Sequence, residues 1–115
     1  IASASSHDHI EEALKRCGIM QYFTKIFSCV DVGYSKRQAE IFNMALEHLG
    51  TEAAETCMVD DALYVAETAG ALGLRCVGIY DETMEERQEA LKQATECYIR
   101  DYSNLDEFWT WFDNN

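Results

Sequence analysis

The stretch Met58-Val59-Asp60-Asp61 decides the fold class of this 115-residue chain. Its apolar residues belong to a short run, residues 56–59, which predicts a buried strand that ends at two adjacent acids. The Ala-rich residues 62–72 predict a helix, which Gly73 closes, and residues 75–80 predict another apolar strand. Strand, helix and strand joined by short loops form a parallel βαβ unit, the building block of a three-layer α/β fold.

The same alternation continues on both sides of this unit. Further strands are predicted at residues 1–3, 25–30 and 97–99, and helices at residues 6–17, 41–49, 83–96 and 103–112. Nearly continuous apolar strands indicate burial on both faces. We therefore expect a single Rossmann-like parallel sheet between two layers of helices, in one domain that covers residues 1–115.

Helix ends and helix faces give further predictions. Ser5, Thr83 and Ser103 are each followed three residues later by an acid, a pattern typical of helix caps. The last helix carries aromatic residues on one face, and we expect these to be buried in the core rather than to form an interface: Phe108, Trp109 and Phe112.

Composition excludes several classes of protein. A formal net charge of −12, without a basic stripe, argues against a nucleic-acid partner. No apolar run approaches the roughly 20 residues of a membrane span, and no secretory pattern opens the chain. Five cysteines without a Cys-x-x-Cys spacing argue against a disulfide framework and a zinc site. We therefore expect a reducing, cytoplasmic compartment.

Asp60 and Asp61 are the strongest candidates for chemistry. Ligands bind at the carboxyl ends of the strands in an open parallel sheet, and both acids directly follow such a strand. Two adjacent carboxylates repel each other and lose solvation unless a cation lies beside them. Mg²⁺ prefers one or two protein carboxylates together with phosphate and water, so the pair predicts a magnesium site. Capping of the following helix by either acid is the structural alternative.

Ser3 and Lys36 are expected at the same edge of the sheet. The Ser3 hydroxyl can donate to a phosphate oxygen, together with the backbone N–H groups of Ala4 and of the helix that follows. Lys36, predicted at the start of a helix, can neutralise charge on a transferred phosphoryl group. The structural alternatives are helix capping by Ser5 or Ser6, and a surface lysine without a role.

Two other classes of site fit poorly. A receiver domain has its acids near the first strand and its lysine near the last, whereas here the order is hydroxyl, lysine and acids. A dinucleotide site requires Gly-x-Gly-x-x-Gly between a strand and its helix. The stretch Ala69-Gly70-Ala71-Leu72-Gly73 instead closes a helix.

Three segments, taken together, resemble a known family. They are Ile1-Ala2-Ser3-Ala4-Ser5, Ser35-Lys36-Arg37-Gln38-Ala39-Glu40-Ile41-Phe42, and Val59-Asp60-Asp61-Ala62 with its helix and the following strand up to Ile79. Their order and spacing resemble the second, third and fourth motifs of the haloacid dehalogenase-like superfamily, in its phosphatase and β-phosphoglucomutase-like branch. The resemblance covers nearly the whole chain, but only the C-terminal part of that family's core.

The resemblance implies a Mg²⁺-dependent phosphatase or phosphomutase that acts on a small phosphorylated metabolite through an aspartyl-phosphate. It assigns Asp61 as the direct Mg²⁺ ligand and Asp60 as a supporting or alternate carboxylate. It assigns Ser3, with Ala4, to phosphate binding, and Lys36 to phosphate binding and charge balance during catalysis.

Three positions depart from the family pattern. Arg37 follows the lysine where prolines are usual, Ala62 replaces a hydroxyl residue after the acids, and Val65 replaces a small residue. These departures keep a second interpretation open, a non-catalytic relative that serves as a binding or interaction module.

The family's first motif has no counterpart in this sequence. Its two aspartates supply the nucleophile and the acid/base, on a strand between those that end at Ser3 and Asp60, and a helical cap precedes the second motif. We therefore expect an incomplete sheet and an inactive chain, with Ile1 as a cut edge and the earlier half of the protein as a partner. Direct pairing of the Ser3 strand with the Asp60 strand would contradict this expectation.

Overall fold

The computed structural model describes all 115 residues, which form two compact units, residues 1–50 (unit 1) and residues 51–115 (unit 2). The fold is of the α/β Rossmann type, as predicted. The strands are β1 (Ala2–Ser3), β2 (Phe27–Ser28), β3 (Cys57–Asp60), β4 (Arg75–Ile79) and β5 (Cys97–Ile99). The helices are α1 (His7–Arg16), α2 (Cys29–Val32), α3 (Glu40–Leu49), α4 (Leu63–Ala71), α5 (Gln88–Ala94) and α6 (Asp106–Asp113). None of the helices combines the length and the apolar character that a membrane crossing requires.

The strands form two parallel sheets, whereas the sequence predicted one parallel sheet that lacks a strand between those ending at Ser3 and Asp60. β1 pairs with β2 in unit 1, and β3, β4 and β5 pair in that order in unit 2. The Ser3 strand and the Asp60 strand therefore each pair within their own unit. The strand predicted at residues 25–30 is short because Cys29 begins α2, a single turn that ends at Gly33 with φ of 80°.

Unit 1 is organised around the pairing of its two short strands. Ser3 lies opposite Ser28, and the N–H of Phe27 donates to the carbonyl oxygen of Ile1 at 2.7 Å. The first turn of α3 supplies two of the residues that bury this pairing. The apolar core of unit 1 consists of Ile26, Phe27, Ile41 and Phe42. This core fixes the carboxyl end of β1, where the phosphate-binding residues are predicted.

Unit 2 depends on close packing of α5 against the central strand β4. A Cβ at Gly78 would lie 2.9 Å from Cγ of Leu91 and 3.2 Å from Oγ1 of Thr95, so only glycine permits this approach. The buried apolar residues of unit 2 are Ala62, Val65, Ala66, Ala69, Leu74, Cys76, Val77, Leu91 and Ile99.

Two of the predicted caps are replaced by tighter turns. Asp81, not Thr83, caps the 3₁₀ segment Glu82–Arg87 that precedes α5, and its Oδ1 accepts from the N–H of Thr83 at 2.8 Å. Before α6, Asp101 accepts from the N–H of Ser103 at 2.8 Å in the same way. An aspartate two residues before a hydroxyl residue forms its own turn, which competes with the capping box.

The aromatic residues of α6 are only partly buried. Trp109 is 52% exposed and Phe112 is 46% exposed, so the prediction that they belong to the core is wrong. Trp111 lies closer to the sheet, with its ring centroid 4.4 Å from the guanidinium carbon of Arg75. The eight-residue helix covers the edge strand β5, and a single edge strand is too narrow to bury every aromatic ring of the helix.

Candidate functional site

Asp60 and Asp61 lie at the carboxyl end of β3. Asp60 is the last residue of the strand, opposite Gly78 of β4, and Asp61 follows it. Oδ1 of Asp60 accepts a hydrogen bond from the N–H of Ala62 at 2.9 Å, which turns the chain towards α4. The N-cap residue of α4 is Ala62 and has no side-chain cap bond. Capping by the acids is therefore limited to the side chain of Asp60 in this turn.

The departures at Ala62 and Val65 leave this turn intact. The bond to Asp60 comes from a backbone N–H, so it needs no hydroxyl at position 62. Both replaced side chains are buried, Ala62 with 4% and Val65 with 0% exposure. They contribute to the packing of α4 on the sheet.

The carboxyl group of Asp61 lies in an unfavourable electrostatic environment. Burial raises the pKa of Asp61 above its usual range, and a hydrogen bond with Asp60 and the charge of Asp60 raise it further. The charge of Asp81 acts in the same direction. Each of these effects disfavours the ionised carboxylate, so a cation at this position would relieve the repulsion.

This donor set suits Mg²⁺. The ion prefers hard oxygen ligands, and one or two carboxylates are the usual protein contribution. Asp61 is half-buried, and burial first and its acidic neighbours second raise its pKa, so its carboxylate would be stabilised by a bound dication. The two adjacent carboxylates are therefore a donor set that fits a magnesium ion.

Asp81 is a further acid that follows a strand of this sheet, and it was not among the predicted site residues. It follows β4, the neighbour of β3, by two residues and caps the 3₁₀ segment after it. The signal in the sequence was an acid just beyond an apolar strand, the same signal that identified Asp60. Because β3 and β4 pair in parallel, their carboxyl ends lie at the same edge of the sheet. The acids that follow the two strands are therefore at the same edge.

Ser3 is the last residue of β1, and Ala4 follows it in the short segment that leads to α1. Oγ of Ser3 accepts from the N–H of Ser5 at 3.1 Å, and its own O–H remains a donor. Oγ of Ser28 donates to the carbonyl oxygen of Ser5 at 2.7 Å and fixes this turn. The N-cap residue of α1 is Ser6, without a side-chain cap bond, so the predicted cap by Ser5 is wrong. The first N–H groups of α1 are thus not used by a capping side chain.

Lys36 lies in a turn and not at a helix start, so that prediction is wrong. The turn is closed by the N–H of Gln38, which donates to the carbonyl oxygen of Ser35 at 3.1 Å. The N–H of Ser35 donates in return to Oε1 of Gln38 at 3.0 Å. α3 begins only at Glu40, so the unfavourable helix dipole does not act on Lys36. The lysine is half-buried although its turn neighbours are exposed.

Comparisons with known proteins agree with this fold. The family model for haloacid dehalogenase-like hydrolases matches residues 1–79. A haloacid dehalogenase-like protein of unknown function from Agrobacterium tumefaciens is similar in structure, with TM-score 0.77 and 22% identity over 99% of this chain and 53% of that chain. The structure of a dehalogenase is also similar, with TM-score 0.71 and 22% identity over 95% of this chain and 47% of that chain. This chain thus spans about half the length of these structures, and a comparison with curated sequences finds no match.

Proposed function

Because this chain belongs to the haloacid dehalogenase-like hydrolase family, we propose that it carries the metal- and phosphate-binding residues of a Mg²⁺-dependent phosphatase or phosphomutase. The substrate class is a small phosphorylated metabolite. The observation that supports the proposal most strongly is the Asp60–Asp61 pair at the end of β3, with the pKa of Asp61 raised by burial and by Asp60.

Each residue has a role that follows from its chemistry. Asp61 holds Mg²⁺, and Asp60, oriented by the Ala62 N–H, supports it. The O–H of Ser3 and the N–H of Ala4 donate to phosphoryl oxygens, and the ammonium of Lys36 balances their charge. When bound, Mg²⁺ neutralises charge on the phosphoryl group and orients it for attack.

The proposal assigns the attacking carboxylate to a segment other than these 115 residues. No residue of the chain corresponds to the family's first motif, so the partner is the segment that carries it. Attack by that aspartate on phosphorus would release the alcohol and leave an aspartyl-phosphate, which water then hydrolyses. This chain alone is expected to bind Mg²⁺ without turnover.

Isothermal titration of Mg²⁺ into the chain tests the metal site. We expect wild type to bind, and Asp61→Asn to bind at least about 10-fold more weakly. Asp101→Asn, which removes the same charge at the end of β5, is the matched control and is expected to bind like wild type. Equal affinities of wild type and Asp61→Asn would reject Asp61 as the ligand.

Turnover separates the enzyme from the alternative, a non-catalytic binding module. The buried apolar side chains of Ala62 and Val65, at family positions that usually hold other residues, are the observation that favours the module. Joined to a segment with the first motif, the chain is expected to hydrolyse a generic phosphate ester with Mg²⁺, and Asp61→Ala is expected to abolish this. Absence of turnover in the joined protein with Mg²⁺ present supports the module.

A further inference from the structure

Asp81 lies beyond the carboxyl end of β4, at the edge of the unit 2 sheet where Asp60 and Asp61 follow β3. β3 and β4 are parallel neighbours with Asp60 opposite Gly78, and Asp81 lies just beyond the end of β4. Neighbouring strands are about 4.8 Å apart, so the segment that carries Asp81 begins beside the acidic pair.

Thr83 holds Asp81 in its charged form. The N–H of Thr83 donates to Oδ1 of Asp81 at 2.8 Å, and the Thr83 hydroxyl donates to the same oxygen. Both bonds favour the carboxylate and hold the pKa of Asp81 below its usual range. Asp81 is therefore a fixed negative charge at neutral pH.

We propose that Asp81 raises the Mg²⁺ affinity of the Asp60–Asp61 pair through its charge, without being a ligand of the ion. The inference rests on the proposed function, because it concerns the same metal site. A dication is attracted by carboxylates within a Debye length, about 10 Å at 0.1 M salt. A third fixed charge near the pair therefore strengthens binding of the dication.

Asp81 also caps the segment Glu82–Arg87, so its charge must be separated from its capping role. Asparagine keeps a side-chain oxygen that can accept from the N–H of Thr83, and Asp81→Asn therefore removes the charge while it retains the cap. Asp101 offers a matched control at the end of β5, because its Oδ1 accepts from the N–H and the hydroxyl of Ser103 in the same way.

Titration calorimetry with Mg²⁺ alone, on this chain, measures the effect. Asp81→Asn is expected to weaken binding about 3- to 5-fold at low salt, and Asp101→Asn less than about 1.5-fold. In about 1 M KCl the effect of Asp81→Asn is expected to fall below about 1.5-fold, because the Debye length shortens to about 3 Å. The melting temperature of each variant without Mg²⁺ shows whether the cap of the segment Glu82–Arg87 is retained.

Two outcomes overturn the inference while the proposed function stands. Equal affinities of Asp81→Asn and Asp101→Asn would show that Asp81 has no special effect. Loss of binding in Asp81→Asn at both salt concentrations would make Asp81 a ligand. If wild type and Asp61→Asn bind Mg²⁺ equally, the proposed function itself fails, and the inference fails with it.

Discussion

Asp61 combines partial burial with an adjacent carboxylate, that of Asp60. Burial first, and Asp60 second, raise its pKa. A backbone hydrogen bond to Asp61 acts in the opposite direction but does not cancel these effects. A single residue thus carries an electrostatic cost that a metal ion can remove, which is why we place the ligand there.

At the residue scale, Asp61 is expected to make the chain less stable as pH rises. Its folded pKa lies above the unfolded value of about 4, so its contribution to stability is complete below that pH. The contribution is lost as pH rises through the folded pKa. In Mg²⁺-free buffer, wild type should therefore lose more unfolding free energy between about pH 4 and pH 7 than Asp61→Asn.

Urea denaturation at a series of pH values measures this difference. Subtraction of the two profiles removes the contributions of titrating groups that do not interact with Asp61, and leaves those of Asp61 and its acidic neighbours. Parallel profiles for wild type and Asp61→Asn would contradict the assignment of a raised pKa to Asp61.

At the scale of elements, the contact between β4 and α5 determines how unit 2 packs. Gly78 faces Leu91, which is 1% exposed, and Thr95, so the helix approaches the strand without an intervening side chain. The same strand carries the chain to Asp81. Packing of α5 therefore also supports the carboxyl end of β4, from which the chain continues to Asp81.

Gly78→Ala is expected to destabilise the chain by about 1–3 kcal/mol, because the new methyl group overlaps a buried leucine. Gly70→Ala in α4 is the matched control. Its Cβ would meet only Sγ of Cys76, at an ordinary 4.0 Å, and alanine favours the helix by about 0.5–1 kcal/mol. Chemical denaturation of both variants measures the difference, and equal stabilities would reject the close-approach argument.

At the scale of the whole molecule, the five cysteines differ in how accessible their thiols are to solvent. All five are free, and they range from the exposed Cys17 to the buried Cys76. Burial raises the pKa of Cys76 to about 11, and its thiol lies 3.6 Å from the carbonyl oxygen of Ala66. The thiolate, which is the reactive form, is therefore scarce at Cys76.

Timed labelling with a thiol reagent near pH 8, followed by mass spectrometry, is expected to modify Cys17 first and Cys76 last. Cys17→Ser should remove the fast phase and leave the slow one unchanged. Denaturant should make all sites react at similar rates. Labelling of Cys76 as fast as Cys17 in the native chain would be the contrary result.

Most of the secondary structure could be predicted from the sequence, because apolar periodicity and glycine stops are local signals. β3, α4, β4, β5, α1 and α3 lie close to their predicted positions. The helix caps could not be predicted from spacing alone. Asp81 and Asp101 form turns with the hydroxyl residues that the capping pattern assigned to the helices. Two local patterns compete there, and only the folded geometry selects between them.

The sequence by itself determined the fold class and the Asp60–Asp61 candidate, since both depend on short-range order along the chain. Only the structure decided three things. Lys36 lies in a turn and not at a helix start, and Trp109 is half-exposed. The negative charge of Asp81 acts on the carboxyl group of Asp61. For Lys36 the reason is a local turn that Ser35 and Gln38 close. For Trp109 and Asp81 the reason is tertiary. Burial and charge–charge interaction depend on which elements are close in space. Strand pairing and helix packing determine which elements these are.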